Sequence, residues 1–263
     1  MSVLRLTQFT DPHLYGSETE SLRGIATFPA LTATLAHAQS HGWPPDAVLV
    51  TGDLVQDDPA GYPHFRRLFG NLGVPVLCLP GNHDEPDAMR RELSQRPFIL
   101  GGPVDFGLWR IVLLDSCIPG SASGRLSESS LAQLDEALST AGQRHCLVAL
   151  HHHPVAMESR WLDRVGLENA AEFLEVIDRH RNVRAIVWGH VHQSYEGLRK
   201  GVRLLATPST CAQFVPNADD FAVDRRPPAY RTLELRADGS VLTEVVWVEK
   251  RAAGSSRSVY SVA

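Results

Sequence analysis

Short apolar runs of strand-like character recur along the chain at 3–9, 47–51, 74–79, 109–115, 146–150, 185–188 and 202–206. Between them, apolar residues at three- and four-residue spacing predict helices over 30–39, 61–72, 87–93, 128–138 and 169–179. Ser127, just before Glu128, offers a hydroxyl N-cap for the fourth helix. Strand and helix patterns that alternate in this way build an α/β layer fold. Near the C-terminus, 230–236 and 241–248 alternate apolar and polar residues around Asp238-Gly239, which predicts a β-hairpin. From about residue 252 no period survives and the sequence reads as a loose tail. No repeat or linker interrupts the pattern. The expected organisation is one domain over 1–251 and a flexible tail over 252–263.

Composition narrows the function classes. Hydrophobic residues make up 43% of the 263 positions and charged residues 21%, ordinary globular usage that argues against a disordered chain. The longest apolar runs fall far short of the roughly 18 residues a membrane span needs, so no membrane partner is expected. Met1 to Thr7 lead straight into strand-like sequence without a basic region or cleavage site, which predicts a cytoplasmic protein without a signal peptide. Net charge is −5 and no basic run exceeds two residues, a poor surface for neutralising a nucleic-acid backbone. Cys78, Cys117, Cys146 and Cys211 lie far apart, without a CxxC pair, and read as reduced buried thiols. The expected partner is a small molecule; the sequence leaves the oligomeric state open.

The twelve histidines carry the chemistry. Thr10-Asp11-Pro12-His13, Gly52-Asp53, Gly81-Asn82-His83-Asp84, His151-His152-His153-Pro154 and Gly189-His190-Val191-His192 each follow a predicted strand. Sites in open α/β sheets form outside the carboxyl ends of strands, so these clusters converge on one rim. Turns explain the Gly, Asn and Asp residues but not paired histidines. Burying carboxylates and imidazoles together without a cation would be costly. Asp11, His13, Asp53, Asn82, His151, His190 and His192 are therefore the candidate metal ligands. In the histidine triplet, His151 is preferred because it directly follows its strand; His152 and His153 are left for supporting roles. Nitrogen and oxygen donors suit iron, manganese, zinc or cobalt. Seven donors exceed the needs of one ion, so two ions sharing a carboxylate is the economical arrangement, suited to clamping a phosphoryl group. Two divalent ions, two aspartates and a hydroxide leave a net positive charge that attracts a phosphodiester. His37 and His41, four apart and without an acidic neighbour, read as surface residues.

The order D-x-H, G-D, G-N-H-D, H, G-H-x-H resembles the calcineurin-like metallophosphoesterase superfamily. A closer likeness, over roughly residues 3–250, is to the bacterial class III 3′,5′-cyclic-AMP phosphodiesterases. It rests on the histidine triplet, Ser159-Arg160-Trp161-Leu162-Asp163 with Leu167 and Asn169, Ala206-Thr207-Pro208-Ser209-Thr210-Cys211-Ala212-Gln213-Phe214, and Arg231 to Leu235. The resemblance implies a four-layer α/β/β/α sandwich of two mixed sheets flanked by helices. It implies one ion held by Asp11, His13, Asp53 and His192 and a second by Asp53, Asn82, His151 and His190. The implied reaction is hydrolysis of 3′,5′-cyclic AMP to 5′-AMP by in-line attack of a hydroxide between the ions. His83 is the candidate proton donor to the leaving ribose oxygen, with Asp84 placed to orient it. His13, Asp53, Asn82, His83 and His192 would face the substrate, and Arg160, Trp161 and Asn169 would line its nucleotide pocket, with Trp161 as a stacking surface. Other small diesters (glycerophosphodiesters, 2′,3′-cyclic nucleotides, cyclic GMP) are the alternative substrates, and a nuclease of the same fold the more distant one.

Overall fold

The computed structural model describes residues 3–249, so the expected tail over 252–263 lies outside the described residues. Two six-stranded mixed sheets face each other. The first contains β1 (Leu4–Phe9), β4 (Ala47–Thr51), β5 (Val76–Leu79), β6 (Phe98–Leu100), β15 (Ala229–Leu235) and β16 (Val241–Trp247), in the order β16-β15-β1-β4-β5-β6. The second contains β7 (Gly102–Phe106), β8 (Trp109–Leu113), β9 (His145–Ala149), β10 (Val183–Trp188), β11 (Tyr195–Arg199) and β12 (Val202–Ala206), in the order β11-β12-β10-β9-β8-β7. Their centres are parallel; both edges of the second sheet and the β15–β16 edge of the first are antiparallel, whereas β6 joins the other edge of the first sheet in parallel. Two small hairpins stand apart, β2 (Ser21–Leu22) with β3 (Ile25–Ala26) and β13 (Gln213–Phe214) with β14 (Val223–Asp224).

The period of two along each central strand builds three apolar layers. In β4, Ala47 and Leu49 face the second sheet while Val48 and Val50 face outward. In β9, Leu147 and Ala149 face inward while Cys146 and Val148 face outward. The outer face of the first sheet is covered by α1 (Thr27–Gln39), α2 (Tyr62–Phe69) and α3 (Pro86–Glu92) through Leu31, Phe65, Phe69 and Met89. That of the second is covered by α4 (Glu128–Ser139) and α5 (Ala170–Arg179) through Leu134, Leu138, Phe173 and Ile177. Strands buried on both faces need apolar residues at every position, which is why they stand out in the sequence as continuous runs. The α/β/β/α layering is the expected one.

Ser127 caps α4, its hydroxyl accepting from the Ser130 amide at 3.0 Å. The β15–β16 turn also forms as expected, with Gly239 at φ 83°. Helix α2 starts one residue late, behind a 3₁₀ turn over Pro59–Gly61. Strands β6, β7 and β11 were not expected. They lie at or beside sheet edges, and β7 and β11 are half-exposed with little apolar periodicity. All four cysteines are free, and Cys117 is only partly buried. Among the described residues no helix is long and apolar enough to cross a membrane.

Candidate metal centre

Parallel strands β1, β4, β5, β9 and β10 all finish at one rim. Asp11 and His13 follow β1, Asp53 follows β4, Asn82 and His83 follow β5, His151 follows β9, and His190 and His192 follow β10. Asp11, His13, Asp53, His190 and His192 all have left-handed backbones, with φ between 48° and 66°. L-residues adopt that region at a cost of about 1 kcal/mol or more each and keep it where surrounding structure enforces it, commonly at functional sites. The close approach explains the neighbouring glycines: a Cβ at Gly81 would collide with the Asp53 carboxylate, and one at Gly189 with Thr10 and Asp11.

Asp53 Oδ2 lies 3.4 Å from His151 Nε2 and 3.8 Å from His13 Nε2, between two groups of donors. On one side, His192 Nε2 is 3.1 Å from His13 Nε2 and 3.3 Å from Asp11 Oδ1. On the other, His151 Nε2 is 3.1 Å from Asn82 Oδ1 and 3.2 Å from His190 Nδ1. Backbone carbonyls set the tautomers, because a carbonyl can only accept. His151 Nδ1 donates to Thr51 O at 2.8 Å, His192 Nδ1 to Ala212 O at 2.6 Å, and His190 Nε2 to Val165 O at 3.0 Å. In the neutral ring the opposite nitrogen is then a bare lone pair. His190, held neutral by burial, thus turns Nδ1 into the cluster as a bare lone pair, with His151 Nε2 directly across from it. All these residues except Asn82 are buried. Imidazole nitrogens converging beside two carboxylates, three of the rings oriented by carbonyls, fit divalent cations and are otherwise unfavourable.

Residues 4–194 match the family model for calcineurin-like phosphoesterases. The chain belongs to that family. It is 39% identical over 245 residues to the 3′,5′-cyclic adenosine monophosphate phosphodiesterase CpdA of Pseudomonas aeruginosa, covering 93% of this chain and 90% of that protein. With the CpdA of Escherichia coli strain K12 it shares 41% identity over 92% of this chain and 89% of the relative. A 3′,5′-cyclic-nucleotide phosphodiesterase of Nostoc sp. is 35% identical over 92% of this chain and 91% of its own. The fold also matches a dimetal phosphatase from Danio rerio with a TM-score of 0.63 at 16% identity, covering 94% of this chain and 99% of that one.

Around this cluster, several expected residues take other places. His83 is partly exposed at the rim, but the carboxylate at its ring is Asp57, with Oδ2 2.9 Å from His83 Nδ1; Gln56 Nε2 is 2.8 Å away. Asp84 does not orient His83. Its carboxylate accepts from the amides of Gly81 (2.9 Å) and Leu54 (3.0 Å) and from the Tyr62 hydroxyl (2.9 Å), tying the two strand-end loops to α2. Asn169 is likewise withdrawn from any pocket: its amide accepts from Leu126 N at 3.0 Å and donates to Leu126 O at 2.9 Å. Arg160 is exposed and paired with Asp219 at 2.6 Å. Trp161 packs edge-on against Phe214 and Phe221, with its indole nitrogen buried. Of the triplet, His151 reaches the cluster directly after its strand, and His152 also brings a ring nitrogen within 4.8 Å of those of His151 and His190. His152 Nδ1 bonds the Ser116 hydroxyl at 2.8 Å, and His153 stacks on His190. Asp57 lacked any sequence signal beyond its place four residues after Asp53.

Burial and mutual charge shape the titration of the centre. Burial brings His13 down to about 4 and His153 to about 4, and drives His152 and His190 well below the usual imidazole range. Burial also opposes the charge on His151, but Asp53 outweighs it and raises that ring to about 9. Burial alone would raise Asp53; His151 and His13 instead hold its carboxyl well below the usual range. Asp84, buried and repelled by Asp53, is pushed up to about 7.

Proposed function

We propose that this protein hydrolyses 3′,5′-cyclic AMP to 5′-AMP in the cytoplasm, with two divalent ions at the strand-end cluster. The observation that carries the reading is the pair of donor groups, each with imidazole nitrogens converging inward, flanking Asp53. Curated relatives along nearly the whole chain carry cyclic-nucleotide phosphodiesterase names, which supports the substrate. Asp11, His13, Asp53 and His192 would hold one ion and Asp53, Asn82, His151 and His190 the other, with iron, manganese, zinc or cobalt all compatible. Bound ions would supply an activated water and neutralise charge developing on phosphorus.

The chain's own residues supply the remainder. Two carboxylates against mostly neutral donors leave the loaded centre cationic, which draws in a singly charged diester rather than repelling it. His83 stands at the rim beside Asn82 and delivers a proton to the ribose oxygen as it leaves, a poor leaving group that gains from an acid. Asp57 holds the His83 ring by Nδ1 and so presents Nε2 to the substrate. The Thr51 and Ala212 carbonyls keep His151 and His192 in the tautomers that present Nε2.

The test is chromatographic product analysis with Mn²⁺-loaded protein offered cyclic AMP, 2′,3′-cyclic AMP and a glycerophosphodiester separately. The expected outcome is 5′-AMP from cyclic AMP, abolished by chelation. Cleavage of only another diester would overturn the substrate, and activity that survives chelation would overturn the metal centre.

A further inference from the structure

Two short hairpins from opposite halves of the molecule meet beside His192, and the chemistry above makes no use of their contact. The Phe214 ring lies flat on the His192 imidazole, 4.1 Å between centroids and 5° from parallel. Phe221 stands 5.1 Å from Phe214 and 5.1 Å from Trp161, so an aromatic cluster extends outward from the metal centre. Phe221 is its outermost member, at 40% exposure, and among the described residues no other aromatic side chain is so open to solvent. Over that ring, 4.8 Å from its centroid, sits the guanidinium carbon of Arg23.

Arg23 occupies an uncomfortable backbone position. With Gly24 it forms the two-residue tip of the β2–β3 hairpin, at φ 51° and 81°. Such turns favour Asn, Asp or Gly at the first tip position. An arginine held there against local preference, with its guanidinium carbon 4.8 Å from the centroid of the exposed Phe221 ring, is a feature that hairpin folding does not explain. Guanidinium planes and aromatic rings share one ligand chemistry: both stack on flat heterocycles.

We infer that Arg23 and Phe221 form the base-recognition platform, on which the purine of a cyclic nucleotide stacks while its phosphate lies at the strand-end cluster. This rests on the diesterase reading above. It moves base recognition from the half-buried Trp161, which packs edge-on against Phe214 and Phe221, to the residue outside it. Arg23 comes from the first half of the chain and Phe221 from the second, so a bound base bridges the two hairpins.

The experiment compares turnover of cyclic AMP with that of the abasic ribose 3′,5′-cyclic phosphate, which has the same scissile bond and no base. The variants are Arg23→Asn, which suits the turn better than arginine, and Phe221→Leu, which keeps the volume and removes the π-face. Each should raise the KM for cyclic AMP and reduce the preference for cyclic AMP over the abasic substrate by about tenfold or more. Equal losses on both substrates, or no loss on either, overturn the platform. Binding of 2-aminopurine riboside 3′,5′-cyclic monophosphate to the chelated protein separates this from the failure of the diesterase reading. Fluorescence quenching weakened by both variants supports the platform even if the wild type cleaves neither substrate. Quenching that both variants leave intact overturns it.

Discussion

Where β1 begins, the seam between the two sheets is closed by Leu4, Leu235, Val241 and Trp109, with Trp109 Nε1 donating to the Arg236 carbonyl at 2.9 Å and His145 Nε2 to the Ala237 carbonyl at 3.2 Å. Where the same strand ends, the seam is lined by Asp11, Asp53 and buried imidazoles whose ring nitrogens converge on one another. The first end is satisfied within the polypeptide: apolar surface is covered and both polar side chains find carbonyls. The second is not, and its donors are divided unevenly. The first sheet brings both carboxylates, Asn82 and one imidazole; the second brings imidazoles only. A cation shared between them would join negative groups on one layer to neutral donors on the other. The same seam is thus locked by burial at one end and left for a ligand at the other.

The largest expected effect breaks the polar end at its centre. Asp53→Asn removes the carboxylate that both donor groups share, several kcal/mol of charge stabilisation. Turnover of cyclic AMP should fall by at least about 10³-fold, and metal content per chain, read by elemental analysis, should fall with it. Retention of two ions at full turnover would break the comparison. His83→Ala sharpens it, because His83 touches this end without joining the layers. The kcat for cyclic AMP should drop by about 10²-fold or more, with metal content unchanged. Asp57→Asn should follow in the same direction by about tenfold. An equal loss of metal in either variant would place His83 among the ligands instead.

At the apolar end, Leu235→Ala should cost about 3 kcal/mol in urea unfolding, by the same amount in metal-loaded and chelated protein. A cost that appears only in one of the two would show that the ends are coupled. Metal itself should stabilise by about 2.7 kcal/mol at a hundredfold excess over its Kd.

The smallest effect is the pH response of the chelated protein. His13 and His153 stay neutral in the fold down to about 4, whereas unfolded imidazoles protonate near 6.5, so acidification through that window favours the unfolded chain. His152 and His190, also held well below the usual imidazole range by burial, add to the trend. Asp84, raised to about 7, opposes it, since a folded carboxyl that takes up its proton early gains stability as pH falls. The histidines outnumber it. Stability should fall from pH 6.5 to pH 4, by about 1 kcal/mol or more per pH unit. Flat or rising stability over that range would mean that the imidazoles are not held neutral.

The central strands were legible because burial on both faces demands continuous apolar runs, and β4 and β12 have the bounds that the sequence predicts. Edge strands β7 and β11 were not, because half-exposed strands are under no such demand. The donor residues were legible for a related reason. A histidine pair directly after a buried strand has no structural purpose that a turn residue would not serve better.

By itself, then, the sequence determined the alternation of strands and helices, the rim at which Asp11, His13, Asp53, Asn82, His151, His190 and His192 gather, and the nitrogen-and-oxygen character of their donors, while the four-layer form came from the family resemblance. Local pattern suffices there, since each motif is fixed to the end of its own strand. Only the tertiary structure decided which side chain answers which across the rim. Asp57 rather than Asp84 meets His83, Leu126 claims Asn169, and Arg23 crosses to Phe221. Those pairings join residues distant in sequence or compete for one polar partner, and local spacing carries no term for either. They are settled by where the packed sheets and their loops bring donors, acceptors and rings within reach.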